Sequence, residues 1–156
     1  MPTASQLGMI DLNIRALTAL TSVALGFIDK GGEILNVCSI ASFAPNTRLT
    51  VYSSTKAYVL SFTKGLREEL KPLGIKCSCV CPGPMMTEFL DVANITKGAS
   101  MTFDRLPYCD VKKTAAGALK ALKRGRCVYT PTAFYKLYRV IAKILPHSIV
   151  MKFSKA

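Results

Sequence analysis

The chain has 156 residues, of which half are hydrophobic, and a formal net charge of +12. This composition excludes a disordered segment and provides enough apolar residues for one domain with a hydrophobic core. No run of about 18 uninterrupted apolar residues occurs, and the N-terminus lacks the pattern of a secretory signal, so we expect no transmembrane helix and no secretion. Because the six cysteines form no Cys-x-x-Cys pair, we expect reduced thiols in a cytoplasmic protein.

The first elements in chain order alternate between long helices and short strands. Apolar residues at helical spacing predict a long, mostly buried helix over residues 5–27. The apolar, β-branched run 33–40 predicts a buried strand. A second long helix follows at 50–70, and a second strand at 75–81 ends at Pro82-Gly83-Pro84.

The second half of the chain continues the alternation after an irregular segment at 85–109. The pattern predicts a helix at 111–123, a short strand at 127–129 and an amphipathic helix at 132–145. Helices that alternate with strands in this order are typical of the α/β class with a doubly wound parallel sheet. We divide the chain into a body, residues 1–131, and a basic amphipathic tail, residues 132–156.

The positive charge is concentrated in the last third of the chain. Residues 1–110 contain ten basic and nine acidic side chains, whereas residues 111–156 contain eleven basic and no acidic ones. No recognised nucleic-acid-binding motif accompanies this charge, so we expect no nucleic-acid partner. Steering of anionic substrates is a further possible use of the charge.

The tail itself combines an apolar stripe with lysines and arginines. Its stripe consists of Phe134, Leu137, Tyr138, Ile141, Ile144 and Leu145, and Lys136, Arg139 and Lys143 lie mostly off it. A basic amphipathic helix of this kind suits peripheral contact with an anionic membrane surface. The alternative is a terminal helix packed on the body or on a second subunit.

One candidate acid–base unit lies at the start of the helix 50–70. Tyr52 and Lys56 are four residues apart and therefore share one face of that helix. Tyrosine has a pKa near 10, and a nearby ammonium group favours the phenolate. Ser39 ends the first strand, at the edge where doubly wound sheets bind ligands. On spacing alone, an ordinary helix face is the favoured explanation of Tyr52 and Lys56.

The surrounding residues resemble the catalytic segment of the short-chain dehydrogenase/reductase family. The carrying motifs are Asn36-Val37-Cys38-Ser39, the Tyr52-x-x-x-Lys56 pair, Pro82-Gly83-x-x-x-Thr87 and Asn13 in the preceding helix. The resemblance implies a Rossmann-like doubly wound parallel sheet. It also implies an NAD(P)-dependent oxidoreductase that reduces a carbonyl or oxidises a secondary alcohol on an apolar substrate.

The family's roles can be carried over residue by residue. Tyr52 would exchange a proton with the substrate oxygen, Lys56 would lower the pKa of Tyr52 and bind the nicotinamide ribose, and Ser39 would bind the reacting oxygen. Asn13 would hold a water that relays protons to Lys56. Pro82, Gly83 and Thr87 would contact the cofactor, NADP or NAD with NADP favoured. Met85, Met86 and Phe89 would form the substrate wall, although ordinary packing explains these three residues equally well. The resemblance further implies a homo-oligomer formed by the two long helices.

One departure from the family pattern is serious. No glycine-rich phosphate-binding turn occurs among the ten glycines. The chain therefore resembles a truncated member, the C-terminal catalytic half, with about three strands, long flanking helices and a bare edge on the strand 33–40. An inactive remnant that serves as a binding or membrane-surface module is the alternative hypothesis. Cys77, Cys79 and Cys81 alternate along a strand and are interpreted as core residues, so no metal site is expected.

Overall fold

The computed structural model describes residues 2–88 and 106–153 and contains a three-stranded parallel sheet. Its strands are β1 (Glu33–Val37), β2 (Lys76–Val80) and β3 (Val128–Tyr129), with β2 in the centre. The predicted α/β class and parallel sheet are therefore confirmed.

Six α-helices accompany the sheet in the described ranges. They are α1 (Thr3–Ile10), α2 (Leu17–Leu25), α3 (Thr50–Leu70), α4 (Val111–Lys123), α5 (Ala133–Ile144) and α6 (His147–Phe153). The bounds predicted for α3 and α4 are confirmed to the residue. The sequence pattern did not predict α6, which begins directly after Pro146.

The strand β1 is shorter than predicted because a turn of 3₁₀ helix, Ile40–Ser42, follows it. The Ser39 hydroxyl caps this turn by accepting a hydrogen bond from the Ala41 amide at 3.1 Å. After β2, Pro82 has no N–H to donate, so the hydrogen-bond ladder between the strands loses one bond at this position. The Pro82 carbonyl still accepts a hydrogen bond from the Ile40 amide. The chain thus leaves the sheet where the candidate site begins.

The helices α3 and α4 pack against the sheet. The cysteines of β2 and its end, Cys77, Cys79 and Cys81, are fully buried with side chains of α3 such as Val59 and Leu66. The last residue of α4 lies beside the first residue of β2, because the Lys76 ammonium donates to the Lys123 carbonyl at 3.1 Å. The expected core role of the three cysteines agrees with this burial.

Polar bonds fix the helix α3 against the sheet. The Asn36 side chain donates to the Thr63 hydroxyl at 2.9 Å inside the core. One turn later, the Arg67 guanidinium donates to the carbonyls of Cys77 and Gly125 at 3.2 and 2.9 Å. These bonds join α3 to β1, to β2 and to the residues after α4, and they satisfy polar groups that are buried or partly buried.

The expectation that the helix over residues 5–27 is mostly buried is wrong. Of the residues of α2 only Thr21 is buried, and the side chains of Leu7, Leu12, Leu20, Val23 and Phe27 are exposed. Within the described ranges, Thr3–Leu25 is also the one helix long and apolar enough to cross a membrane by length and composition. Core helices of soluble proteins, which are mostly buried, and N-terminal signal sequences meet the same test; the window in this chain is 6% buried.

The C-terminal helices α5 and α6 pack on the body. Tyr135 and Ala142 of α5 are buried, and Val150 of α6 joins the same core cluster as Cys38 and Val59. One face of α5 therefore packs on the body, as the alternative to membrane contact predicted. The division of the chain at residue 131 stays a prediction.

Candidate active site

The candidate site lies at the carboxyl ends of β1 and β2. Ser39 follows β1, Pro82 follows β2, and Tyr52 lies in the first turn of α3, which packs on the same two strands. Parallel strands end at one edge of the sheet, and this edge is where open α/β sheets bind ligands. The fold therefore brings three of the predicted site residues to one edge.

The hydroxyl groups of Tyr52 and Ser39 form the centre of this site. Burial raises the pKa of the Tyr52 phenol, and a hydrogen bond with the Ser39 side chain opposes that rise. The net pKa of Tyr52 lies above its ordinary value, so its phenol is protonated at neutral pH. A half-buried, protonated phenol beside a second hydroxyl is suited to donate a proton.

Lys56 lies one turn after Tyr52 on the same face of α3. Its ammonium nitrogen is 5.8 Å from the centroid of the Tyr52 ring and 3.2 Å from the Val37 carbonyl oxygen. Burial lowers the pKa of Lys56. The predicted proximity of the two side chains is seen, whereas the predicted lowering of the Tyr52 pKa by Lys56 stays a prediction.

Asn13 lies in a π-helical segment, Asp11–Ala16, between α1 and α2. Its side-chain amide donates to the Thr55 hydroxyl at 3.2 Å, and that hydroxyl donates to the Tyr52 carbonyl at 2.8 Å. A π-helical turn carries an extra residue and is often found at functional sites. The structure thus connects Asn13 to the turn of α3 that holds Tyr52, and the water-relay role of Asn13 stays a prediction.

The Pro-Gly turn after β2 packs under a tyrosine of α5. A Cβ on Gly83 would overlap the ring of Tyr135, so only glycine fits at this position. The Tyr135 side chain is fully buried, and its hydroxyl donates to the Pro107 carbonyl at 2.7 Å. The Cys109 amide also donates to the Pro84 carbonyl at 2.7 Å, so the two ends of the intervening segment are joined.

The remaining predicted site residues follow this turn. Met85 is half-buried, whereas Met86 and Thr87 are exposed. Phe89 lies outside the described residues. The cofactor role of Thr87 and the substrate-binding role of the two methionines and Phe89 stay predictions.

Three thiols from two neighbouring strand ends contact one another in the core next to the site, and the sequence did not predict this contact. The side chains of Cys38, Cys79 and Cys81 hydrogen-bond one another, and the Cys38 thiol donates to the Lys56 carbonyl at 3.2 Å. The bond with Cys38, together with burial, raises the pKa of Cys79 and of Cys81, so both thiols are neutral. Pairing of Val37 with Val80 puts Cys38 beside Cys81, which no spacing in the sequence indicates.

The donor set fits one end of a nicotinamide dinucleotide. Lys56 and Tyr52 present an ammonium and a hydroxyl suited to ribose hydroxyl groups, at the sheet edge where the Pro82-Gly83 turn follows β2. For the phosphates, the chain has no glycine-rich turn at a helix N-terminus. The residues present therefore fit the nicotinamide–ribose end, and this sequence supplies no motif for the pyrophosphate.

Comparison with known proteins identifies the class. The sequence profile described as short chain dehydrogenase matches residues 3–98, which is more than half of the chain. The match includes Asn13, Ser39, Tyr52 and Lys56. The chain belongs to the short-chain dehydrogenase family of oxidoreductases.

Individual relatives agree with this assignment. The glucose and ribitol dehydrogenase homolog 2 of Arabidopsis thaliana is 37% identical over 78 residues, which are 50% of this chain and 27% of the relative. A short-chain dehydrogenase from Sphingobium yanoikuyae, solved in complex with NADPH, is 28% identical with a TM-score of 0.73 and covers 94% of this chain and 59% of its own.

A more distant structure supports the fold alone. A 7beta-hydroxysteroid dehydrogenase structure has a TM-score of 0.79 at 14% identity and covers 99% of this chain. The match takes in 60% of that neighbour's chain. The chain thus corresponds to part of each of these proteins.

Proposed function

We propose that this chain carries the proton-transfer half of an NAD(P)-dependent reduction of a carbonyl, or of the reverse oxidation of a secondary alcohol, on an apolar substrate. The observation that carries the proposal is the half-buried Tyr52 phenol, hydrogen-bonded to Ser39 and one helical turn from Lys56. These three groups lie at the sheet edge where α/β folds bind ligands.

The chain's own residues would act on the substrate oxygen. The bound nicotinamide would supply or accept the hydride. The Ser39 hydroxyl donates a hydrogen bond to the carbonyl oxygen as negative charge develops on it, and Tyr52 Oη delivers its proton to the same oxygen. Lys56, held by the Val37 carbonyl, keeps a positive charge beside the phenol and stabilises the phenolate that remains.

The cofactor proposal is NADP(H) rather than NAD(H). Its support is the relative from Sphingobium yanoikuyae, which was solved with NADPH. Fluorescence titration of the purified chain with NADPH and NADH tests this proposal. Saturable binding with a lower Kd for NADPH is expected, and a lower Kd for NADH would contradict the preference.

The catalytic assignment is tested with matched tyrosine variants. Consumption of NADPH with bulky apolar ketones is measured for the parent, Tyr52→Phe and Tyr58→Phe. Tyr58 lies on the same helix, but its hydroxyl pairs with Thr18 at 2.8 Å, away from the site. Loss of about 10²-fold or more in kcat for Tyr52→Phe alone is expected. Equal activity of the parent and Tyr52→Phe would refute the role.

The competing function is an inactive remnant that serves as a binding module. The observation that favours it is the lack of a glycine-rich turn for the pyrophosphate. If neither dinucleotide binds to the chain, this second function replaces the first.

The partners and location belong to the same proposal. The exposed apolar side chains of α1 and α2 support a homo-oligomer formed through these helices. All six cysteines are free thiols, which supports a cytoplasmic location, since that compartment keeps thiols reduced.

A further inference from the structure

We propose that the outer face of α5 binds an anionic lipid surface, with its apolar side chains in the interface and flanking lysines on the lipid headgroups. This function is separate from the chemistry at Tyr52. It assigns a partner to a face of the molecule that the proposed oxidoreductase does not use.

The helix α5 has two different faces. Tyr135 and Ala142 are buried against the body, and the Tyr138 ring lies 6.1 Å from the ring of Phe43. On the opposite side a ridge of exposed apolar side chains runs the length of the helix. We call it the α5 ridge: Leu137, Val140, Ile141 and Ile144, of which Leu137 is 60% and Ile144 73% exposed.

Basic side chains border the α5 ridge. Lys136 and Lys143 are both exposed and lie four residues before and three residues after Val140, on one flank of the ridge. Lys152 is exposed on α6, the next helix. Arg139 is different, because its guanidinium donates to the carbonyl of Val128, the first residue of β3, at 3.4 Å.

The charge of this part of the chain decides between possible occupants. Residues 111–156 contain eleven basic and no acidic side chains, so a second copy would bring like charges together. An anionic bilayer offers negative headgroups beside hydrocarbon, and an amphipathic helix with lysines next to apolar residues complements both. A lipid surface therefore fits the α5 ridge better than self-association does.

The experiment is co-sedimentation of the full chain with vesicles of phosphatidylcholine alone or of equal parts phosphatidylcholine and phosphatidylglycerol. Two α5 variants are compared with the parent: Lys136→Glu with Lys143→Glu, and Leu137→Ser with Ile144→Ser. The matched control is Lys112→Glu with Lys120→Glu, which makes the same change in net charge on exposed positions of α4.

The parent is expected to bind to the vesicles that contain phosphatidylglycerol and not to vesicles of pure phosphatidylcholine. Lys136→Glu with Lys143→Glu should bind at least about tenfold more weakly, since one lysine near an anionic surface contributes roughly a fivefold change in binding. Leu137→Ser with Ile144→Ser should also bind at least about tenfold more weakly, because it removes apolar area from the lipid interface. The α4 control should stay within about twofold of the parent. Circular dichroism of every variant verifies that the fold is retained.

Three results would overturn the proposal. In the first, the parent does not bind to anionic vesicles; in the second, it binds equally well to vesicles of pure phosphatidylcholine. In the third, the α4 control loses as much binding as the α5 variants, which would show that only the net charge of the chain matters. If Leu137→Ser with Ile144→Ser instead converts a dimer to a monomer in sedimentation velocity and leaves vesicle binding unchanged, the α5 ridge is a self-association surface.

Discussion

At the scale of single residues, the environment of Tyr52 determines what the site can do. Burial favours the neutral phenol and raises its pKa, whereas the hydrogen bond with Ser39 stabilises the phenolate and lowers it. These effects act in opposite directions on the pH at which the phenol loses its proton. Substitution of either partner should therefore alter the pH dependence as well as the rate.

The first prediction concerns Ser39→Ala. Loss of the hydrogen bond that favours the phenolate raises the pKa of Tyr52, and alcohol oxidation requires the phenolate as the base. The pH–rate profile of oxidation should therefore move to higher pH, together with a lower kcat. Ser54→Ala, on an exposed position of α3, is the control and should leave the profile unchanged. A profile that moves to lower pH would show that Ser39 does not stabilise the phenolate.

The second prediction compares two glycines by urea denaturation. Gly83→Ala introduces a Cβ that overlaps the buried Tyr135 ring, so the free energy of unfolding should fall by about 1–3 kcal/mol. Gly65→Ala on α3 meets no atom within 4 Å, and the gain in helix propensity should raise the free energy of unfolding by up to about 1 kcal/mol. Equal effects at both positions would contradict the close approach at Gly83.

At the scale of secondary-structure elements, helix faces decide which apolar residues contribute to stability. The helix α4 is apolar on one side only, and its buried positions include Thr114, Ala118, Ala121 and Leu122. The Asp110 carboxylate caps its first turn by accepting from the Lys113 amide at 2.7 Å. The Asp110 cap thus defines the start of this helix, and the spacing of its apolar residues defines the face that is buried.

The third prediction uses two leucines of α4. Leu122 is 3% exposed and Leu119 is 51% exposed, although they are less than one turn apart. Leu122→Ala should lower the free energy of unfolding by about 2–5 kcal/mol, because it leaves a cavity. Leu119→Ala should change it by less than about 0.5 kcal/mol. Chemical denaturation measures both, and a large loss at Leu119 would show that a partner covers it.

At the scale of the whole molecule, the exposed apolar surface is concentrated on few helices. The helices α1 and α2 expose the large apolar side chains of Leu7, Leu20 and Val23, and α5 exposes its ridge. Patches of this kind mark contact surfaces in soluble proteins. Because α5 is bordered by lysines and α2 has no charged residue, the two surfaces suit different partners.

The fourth prediction concerns self-association through α2. Leu20, which is 72% exposed, is replaced by Glu, and Leu119→Glu on α4 is the control. The parent should sediment as a dimer or larger species, and Leu20→Glu should sediment as a monomer because a charge would be buried in the interface. The control should behave as the parent does. A monomeric parent at micromolar concentration would refute association through this helix.

The sequence by itself determined most of the elements, though not α6, and the chemical class. Apolar periodicity defined α3 and α4 to the residue, because both helices have a buried face and clear ends such as the Lys71-Pro72 pair. The Tyr52–Lys56 pair could be read from local spacing, because residues four apart on a helix lie on the same face. Family membership followed from these motifs.

Only the tertiary structure decided what those side chains contact. It exposed the first long helix that periodicity predicted to be buried, since a pattern shows that a face is apolar but not what covers it. It likewise showed that Tyr135 packs on Gly83, 52 positions earlier in the sequence, and that Cys38 lies beside Cys81. Contacts between distant segments depend on strand register and helix packing, and spacing along one segment carries no information about either.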